Sequence, residues 1–175
     1  QRLEEAEALS RQSLSIRRKA YGPEHPEVAV TLNNLGCILR RRGNFAGAEV
    51  SFQEAIGIAE TSMGPNHPKL SNFLGNLGML EAERRRFSAA ETLLTRSEDI
   101  MERNYGPFDS RTLMSRLQLA QVYQMVAVNG ESVGVVLALF AAQGQAASDI
   151  IGLHKYLVQR RSDGDGERFQ AAATA

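Results

Sequence analysis

The amino-acid sequence predicts an all-α fold, an α-solenoid built from antiparallel helical hairpins. The first observation is internal repetition. Three similar segments, YGPEHPEV, MGPNHPKL and YGPFDSRT, carry Gly22, Gly64 and Gly106, which are 42 residues apart. The second observation is a helical period of apolar residues in each half of the repeat. The third is that no segment sustains the alternation of apolar and polar residues that is typical of a strand.

The 42-residue interval extends far beyond the turns. Many independent matches at one interval are the signature of a repeat protein, in which each unit is one small supersecondary structure. The recurring positions include Ala6, Ala48 and Ala90; Leu35, Leu77 and Leu119; Ile16, Ile58 and Ile100; and Phe45 and Phe87.

Each unit contains two amphipathic helices. Gly43-Asn44 separates the two apolar stripes, so a short turn joins antiparallel helices. Gly-Pro ends the second helix, because proline lacks an amide hydrogen and disfavours helix in the preceding residue. His-Pro then begins the next first helix. In one unit the stripes are Val28, Leu32, Leu35 and Leu39, followed by Phe45, Ala48, Phe52, Ala55 and Ala59.

Small residues recur where the two helices of a unit should cross. Gly36, Gly78 and Ala120 occupy one position of the three first helices. A glycine within a helix costs about 1 kcal/mol relative to alanine. Close approach of the helix axes, to about 8–10 Å, offsets that cost.

Composition excludes several functional classes. The chain has 175 residues, 43% of them hydrophobic, with 20 basic and 20 acidic residues. A neutral chain has no electrostatic reason to bind nucleic acid or an anionic membrane. Its single cysteine fits a reducing compartment, so we expect a cytoplasmic location. The first residues, QRLEEAEALS, do not resemble a signal peptide, and because the chain begins within an apparent helix we expect it to be part of a longer protein.

These features resemble the tetratricopeptide repeat family, whose familiar unit has about 34 residues. The longer unit, LNNLG at 32–36 and G-P-x-H-P between units are most similar to the kinesin light chain and nephrocystin type of repeat. The resemblance covers roughly residues 1–143. It implies a right-handed superhelix with a concave inner face that is lined by first helices, where asparagines of the LNN motif contribute to peptide binding.

The register defines the predicted organisation. We expect a repeat array over 1–147, with a partial repeat at 1–20 and full repeats at 21–62, 63–104 and 105–146. Residues 1–19 are predicted to be a second helix, and 131–143 the second helix of the last repeat. Residues 148–161 are predicted to form either a capping helix or a degenerate repeat. The polar, low-complexity segment 162–175 is predicted to be disordered.

The residues that suggest catalysis or metal binding are better explained as structural. His25 and His67 lie one repeat apart, too far to share a metal whose ligand bonds are about 2 Å, so we expect them to be turn residues packing between helices. Cys37 has Arg40 and Arg41 one turn away, which favours a reactive thiolate, but a small packed residue is the simpler interpretation. We therefore expect no enzymatic activity, no metal and no cofactor.

Two arginine runs, 40–42 and 84–86, raise the alternative of nucleic-acid binding. Both lie at the carboxyl end of a first helix, where cations oppose the negative end of the helix dipole. Glu49, Glu81, Glu83 and Glu91 lie close enough in sequence to balance them. We expect a solvated surface and no nucleic-acid or membrane binding.

The polar residues within the first helices predict a binding groove. Asn33, Asn34 and Asn76 either brace the turn between units or bind the backbone of a partner; we assign Asn33 to the groove, and Asn34 and Asn76 to bracing with some groove contact. Asn33 and Arg40 share a face and suit an extended acidic peptide. By register the predicted groove residues are Val30, Asn33, Cys37, Arg40, Asn72, Asn76, Met79, Met114 and Gln121.

The predicted function is a scaffold or adaptor that binds a protein or peptide partner in this groove. The alternative is a regulatory or sensor arm of a larger enzyme or signalling ATPase. A preceding heptad repeat would favour the first function, and a nucleotide-binding domain the second. The sequence leaves the oligomeric state open.

Overall fold

A computed structural model describes residues 2–128, and this part of the chain contains six α-helices and no strand. The all-α prediction is confirmed. The predicted helix 131–143, the segment 148–161 and the tail 162–175 lie outside the described residues. The helices are α1 (Arg2–Tyr21), α2 (Pro26–Arg41), α3 (Phe45–Met63), α4 (Pro68–Glu83), α5 (Phe87–Tyr105) and α6 (Ser110–Val128).

The helices begin and end at the predicted proline and glycine residues. Pro26 and Pro68 begin α2 and α4, where a missing amide hydrogen costs nothing. Gly64 and Gly106 end α3 and α5 with φ angles of 93° and 88°, and their amides donate to Glu60 O and Glu102 O. Only glycine adopts such angles without strain, so these residues fix where each second helix stops.

Each hairpin packs its two helices through a glycine. A Cβ atom on Gly36 would lie 2.5 Å from the Phe52 ring, and one on Gly78 would lie 2.8 Å from Leu94 Cγ. Phe52 and Leu94 are fully buried. The predicted role of the small residues at the helix crossing is therefore correct for the α2–α3 and α4–α5 hairpins.

The chain divides into two compact units, 1–122 and 123–175, and the site described below belongs to the first. Within it, one apolar cluster connects the hairpins because α2 packs on α1 and α4 packs on α3. No helix in the described range is long and apolar enough to cross a membrane. The cluster includes Leu14, Leu32, Leu35, Leu39, Phe52, Ile58, Leu70, Leu74, Leu77 and Ile100.

Candidate partner-binding surface

The predicted groove residues all lie on α2, α4 and α6, the first helices of their units. We call them together the first-helix surface. Their side chains differ in accessibility, so the surface is only partly available to a partner. Val30, Asn33, Cys37, Arg40, Asn76 and Met79 are half-buried, whereas Asn72, Met114 and Gln121 are exposed.

Two of these amides bind each other across neighbouring units. Asn76 Nδ2 donates to Asn33 Oδ1 at 2.9 Å. The equivalent residues one unit later, Gly75 and Gln118, also approach each other, because a Cβ atom on Gly75 would lie 2.9 Å from Gln118 Oε1. Gly75 and Gln118 follow Asn33 and Asn76 by 42 residues each. Asn33 therefore has a bracing contact in addition to its predicted place in the groove, and Asn34 is exposed.

Arg40, which we expected to grip a partner carboxylate, already has a carboxylate within the chain. Its Nη1 lies 3.5 Å from Glu83 Oε1 on α4. Glu83 was one of the acids expected to balance the arginine runs. The pair joins α2 to α4, as the Asn33–Asn76 amide pair does, so Glu83 already balances part of the Arg40 charge.

Three more arginines of the two runs pair with glutamates, and two of these pairs are in register. Arg42 pairs with Glu7, and 42 residues later Arg84 pairs with Glu49. Arg86 adds contacts to Glu49 at 2.9 Å and to the buried Glu81. Burial raises the pKa of Glu49, but hydrogen bonds from Arg84 and Arg86 outweigh it and the net shift is downward. These contacts support the expectation that nearby glutamates balance the arginine runs.

A cleft of about 330 Å³ opens between α4 and α6. It contains two predicted groove residues, Asn72 and Met114, and brings Gln118 beside them. Its walls therefore combine carboxamides, which donate and accept hydrogen bonds, with flexible apolar side chains. The full lining is Pro68, Lys69, Ser71, Asn72, Met101, Tyr105, Arg111, Met114, Ser115 and Gln118.

Sequence reasoning missed the two cations of this cleft. Arg111 lies over the Tyr105 ring, 3.3 Å from its centroid, and its Nε donates to Asp109 Oδ1 at 2.8 Å. Lys69 is exposed on the other wall. The signal was present in the register, because Lys69 and Arg111 are 42 residues apart and both follow the turn between units.

Two larger clefts lie on second helices. One, of about 430 Å³, lies between α1 and α3 over Leu14, Leu32, Leu35 and Leu39; the other, of about 410 Å³, lies on α1. The rim cations of the first are paired, Arg11 with Glu7 and Arg18 with Glu54. We favour the smaller α4–α6 cleft, because the exposed Asn72, the half-buried Gln118 and the exposed Lys69 converge on it.

His25 and His67 have the same structural role. Each accepts a backbone hydrogen bond at Nδ1, from Glu27 N at 3.2 Å and from Lys69 N at 3.1 Å, and so caps the helix that follows. Among residues 2–128, no three histidine, cysteine or acidic residues cluster in a way that would hold a metal. Burial raises the pKa of the Cys37 thiol despite the opposing charge of Arg40, which supports the simpler interpretation of this cysteine.

Solved structures with the same architecture include BtubC (BKLC) from P. vanneervenii, at 21% identity and a TM-score of 0.65. The match covers 83% of this chain and 59% of that one, so this chain spans less than two thirds of BtubC. A Podosopora anserina protein described as a kinesin light chain with nearly identical TPR-like repeats matches at 19% identity and a TM-score of 0.68, over 98% of this chain and 84% of that one. A single-substitution form of the latter gives 17% identity and a TM-score of 0.63, over 92% and 87%.

A search of curated proteins gives no match. The family model for the tetratricopeptide repeat matches residues 1–61 and 38–103, which together exceed half of the chain. Repeats of this family generally mediate protein–protein interaction. The family model, the two glycine-centred hairpins and the helical neighbours agree, and the chain belongs to the tetratricopeptide repeat family.

Proposed function

We propose that this chain is a scaffold or adaptor module that binds an extended segment of a partner protein along the first-helix surface. The observation that carries the proposal is the α4–α6 cleft, in which Asn72, Gln118 and Met114 come together. An extended peptide has unpaired backbone donors and acceptors, and carboxamides can satisfy both. Binding needs no catalysis and no cofactor. The lone cysteine is the basis for proposing the cytoplasm as its location.

The charge around the cleft favours an acidic segment. Lys69 and Arg111 flank it, and Asp109 is the only acid that pairs with Arg111 in the described contacts. Arg40 is less suitable because its guanidinium already lies beside the Glu83 carboxylate. Arg111 is likewise held by two hydrogen bonds to Asp109, so we move the expected carboxylate contact from Arg40 to Lys69. Met101, Met114 and Tyr105 offer apolar contact to the neighbouring side chain of the ligand.

The test is to select a peptide from a random library against the chain and to measure its affinity for variants by calorimetry. We expect Asn72→Ala and Gln118→Ala each to weaken binding about three- to tenfold, the value of one neutral hydrogen bond. Lys69→Ala removes a charge-assisted bond and should cost about tenfold or more. Arg40→Ala should cost less than Lys69→Ala, because Arg40 retains Glu83 as its partner.

Gln53→Ala is the matched control, since Gln53 is an exposed amide on the second helix α3. Thermal melts separate loss of binding from loss of folding, which matters for Asn33→Ala because Asn33 braces α4. The proposal fails if the first-helix variants bind normally, or if Gln53→Ala weakens binding as much as they do.

A further inference from the structure

The turns between units cap the following helix in the same way but with different chemical groups. His25 Nδ1 and His67 Nδ1 accept from the amides of Glu27 and Lys69 at 3.2 and 3.1 Å. In the third turn Asp109 Oδ1 accepts from the Arg111 amide at 2.9 Å. The three cap residues are spaced by 42 residues, so one structural position carries two imidazoles and one carboxylate.

An imidazole nitrogen accepts a hydrogen bond only while it carries no proton. Free histidine takes up that proton near pH 6.5, and the imidazolium ion has two donors and no acceptor. Protonated His25 and His67 would each face a backbone donor. They would also place a positive charge at the positive end of a helix dipole. Acid therefore removes the cap and adds a repulsive charge at the same position.

The surroundings of the two imidazoles contain both signs of charge. Tyr21 at the end of α1 stacks on His25, with 4.8 Å between ring centroids. Glu24 and Glu27 flank His25 in sequence, but Arg17 from α1 pairs with Glu27 at 3.4 Å and donates to its carbonyl oxygen.

His67 has a cation and an amide beside it. Lys69 follows it on α4, and Asn104 from α5 donates to the neighbouring Asn66 carbonyl oxygen.

The third cap behaves differently with pH. Hydrogen bonds from Arg111 lower the pKa of Asp109 to about 2. Its carboxylate therefore remains an acceptor throughout the range in which histidine gains a proton. The stability that this cap supplies is present above the ordinary aspartate pKa and is lost only as the pH falls toward 2.

We propose that the turns before α2 and α4 are acid-sensitive joints, which open by protonation of His25 and His67, whereas the turn before α6 is not. The capping bond forms only with a neutral imidazole, so the stability that it supplies is lost as the pH is lowered. Val30 and Asn72 lie within about a turn of the affected helix starts, so opening alters the first-helix surface at α2 and α4. The joints exist whether or not that surface binds a partner.

Amide hydrogen exchange, read by NMR at pH 7.5 and pH 5.5 and corrected for the intrinsic rate, tests the proposal directly. Loss of one capping hydrogen bond should lower the protection of the Glu27 and Lys69 amides about fivefold at pH 5.5. Protection of the Arg111 amide should not change, and it serves as the internal control. Equal protection of the Glu27 and Lys69 amides at both pH values would overturn the proposal.

The variant His25→Asp/His67→Asp gives both joints the carboxylate that the third turn already has. In this variant the Glu27 and Lys69 amides should have the same protection at both pH values, because aspartate stays ionised and continues to accept their hydrogen bonds. Loss of protection equal to that of the unmodified chain would show that other groups cause the pH response. The pH comparison within the unmodified protein does not depend on how well this variant folds.

Discussion

The two complete units, 21–62 and 63–104, share a backbone plan and differ in the chemistry of matching positions. Within the first hairpin, Ala29 and Ala55 are buried apolar residues. In the second hairpin their counterparts Ser71 and Ser97 are equally buried and share a hydrogen bond of 2.7 Å between hydroxyls. The hairpin thus accepts polar groups at its centre when both members of the pair change together.

The downstream boundaries of the two units show the same contrast. Leu74 on α4 belongs to the apolar cluster, and the half-buried Ile56 on α3 packs against that cluster. The counterparts, 42 residues later, are Glu98 and Arg116, whose Oε1 and Nε atoms are 2.6 Å apart. Arg116 also donates to Glu102 at 2.8 Å. An ion pair with several hydrogen bonds therefore replaces an apolar contact at the same place in the stack.

In the ion pairs between second helices, the positive and the negative residue exchange positions from one unit to the next. Arg18 on α1 pairs with Glu54 on α3. At the equivalent positions Glu60 on α3 pairs with Arg96 on α5, at 2.6 Å. Opposite charge is retained at the contact while each position changes sign, so the geometry of the repeat constrains the pair and not the individual residue.

The turns within the hairpins differ as well. Gly43 has a φ of 77°, and Asn44 caps α3 by accepting from the Gly47 amide. Their counterparts are Arg85, with a φ of 61°, and Arg86, which makes no capping bond through its side chain. The second unit is locally less favourable here, and the contacts of Arg86 to Glu49 and Glu81 offset part of the cost.

The largest expected effect concerns the α5–α6 boundary. Arg116→Leu leaves Glu98, a residue that is only 9% exposed, without its main partner, and we expect a loss of about 2–3 kcal/mol. The double variant Glu98→Ile/Arg116→Leu copies the α3–α4 boundary and should recover most of that loss. Urea unfolding of both single variants and the double variant measures the coupling. Additive losses would contradict the equivalence of the two boundaries.

A smaller effect is expected at the buried hydroxyl pair. Ser97→Ala removes the bonds to the Ser71 hydroxyl and carbonyl oxygen, and should cost about 1 kcal/mol. Ser71→Ala/Ser97→Ala copies Ala29 and Ala55 of the first unit and should cost less than the sum of its single changes. Chemical unfolding at one pH is sufficient for the measurement. A double variant that is less stable than that sum would show that the hydroxyl pair is not exchangeable.

The smallest effect is expected at the second hairpin turn, and it has the opposite sign. Arg85→Gly relieves a left-handed backbone and should stabilise the chain by about 0.5–1 kcal/mol, since the strain exceeds the entropy cost of glycine. Gly43→Ala, the reciprocal change in the first unit, should destabilise it by a similar amount. Thermal melts of the two variants check the signs. If Arg85→Gly lowers the melting temperature, the arginine side chain contributes more than its backbone costs.

Most of the fold could be predicted from the sequence, because the apolar stripes and the Gly-Pro and His-Pro turns repeat at one interval. The crossing residue Gly36 follows from the same register. Contacts between units could not be predicted, because they depend on how far each helix is displaced along its neighbour. In the structure, residues that contact each other on α2 and α4 are 43 residues apart in sequence, as in Asn33–Asn76 and Arg40–Glu83.

The candidate site was predicted less completely for the same reason. Asn72 and Met114 were assigned to the groove by register, and both line the α4–α6 cleft. Lys69 and Arg111 were missed because they lie in the first turns of α4 and α6. The predicted groove residues of these two helices begin later, at Asn72 and Met114. The partner of Arg40 was missed because a sequence separation of 43 residues predicts a contact only when the offset between α2 and α4 is known.

The central claim is that a partner lies on the first helices and not on the second. Side-chain amide resonances test this most directly, because Asn72 and Gln118 line the cleft while Gln53 lies on α3. On titration with a peptide selected against the chain, the NH₂ signals of Asn72 and Gln118 should shift and that of Gln53 should stay in place. Shifts at Gln53, with Asn72 and Gln118 unmoved, would contradict the account.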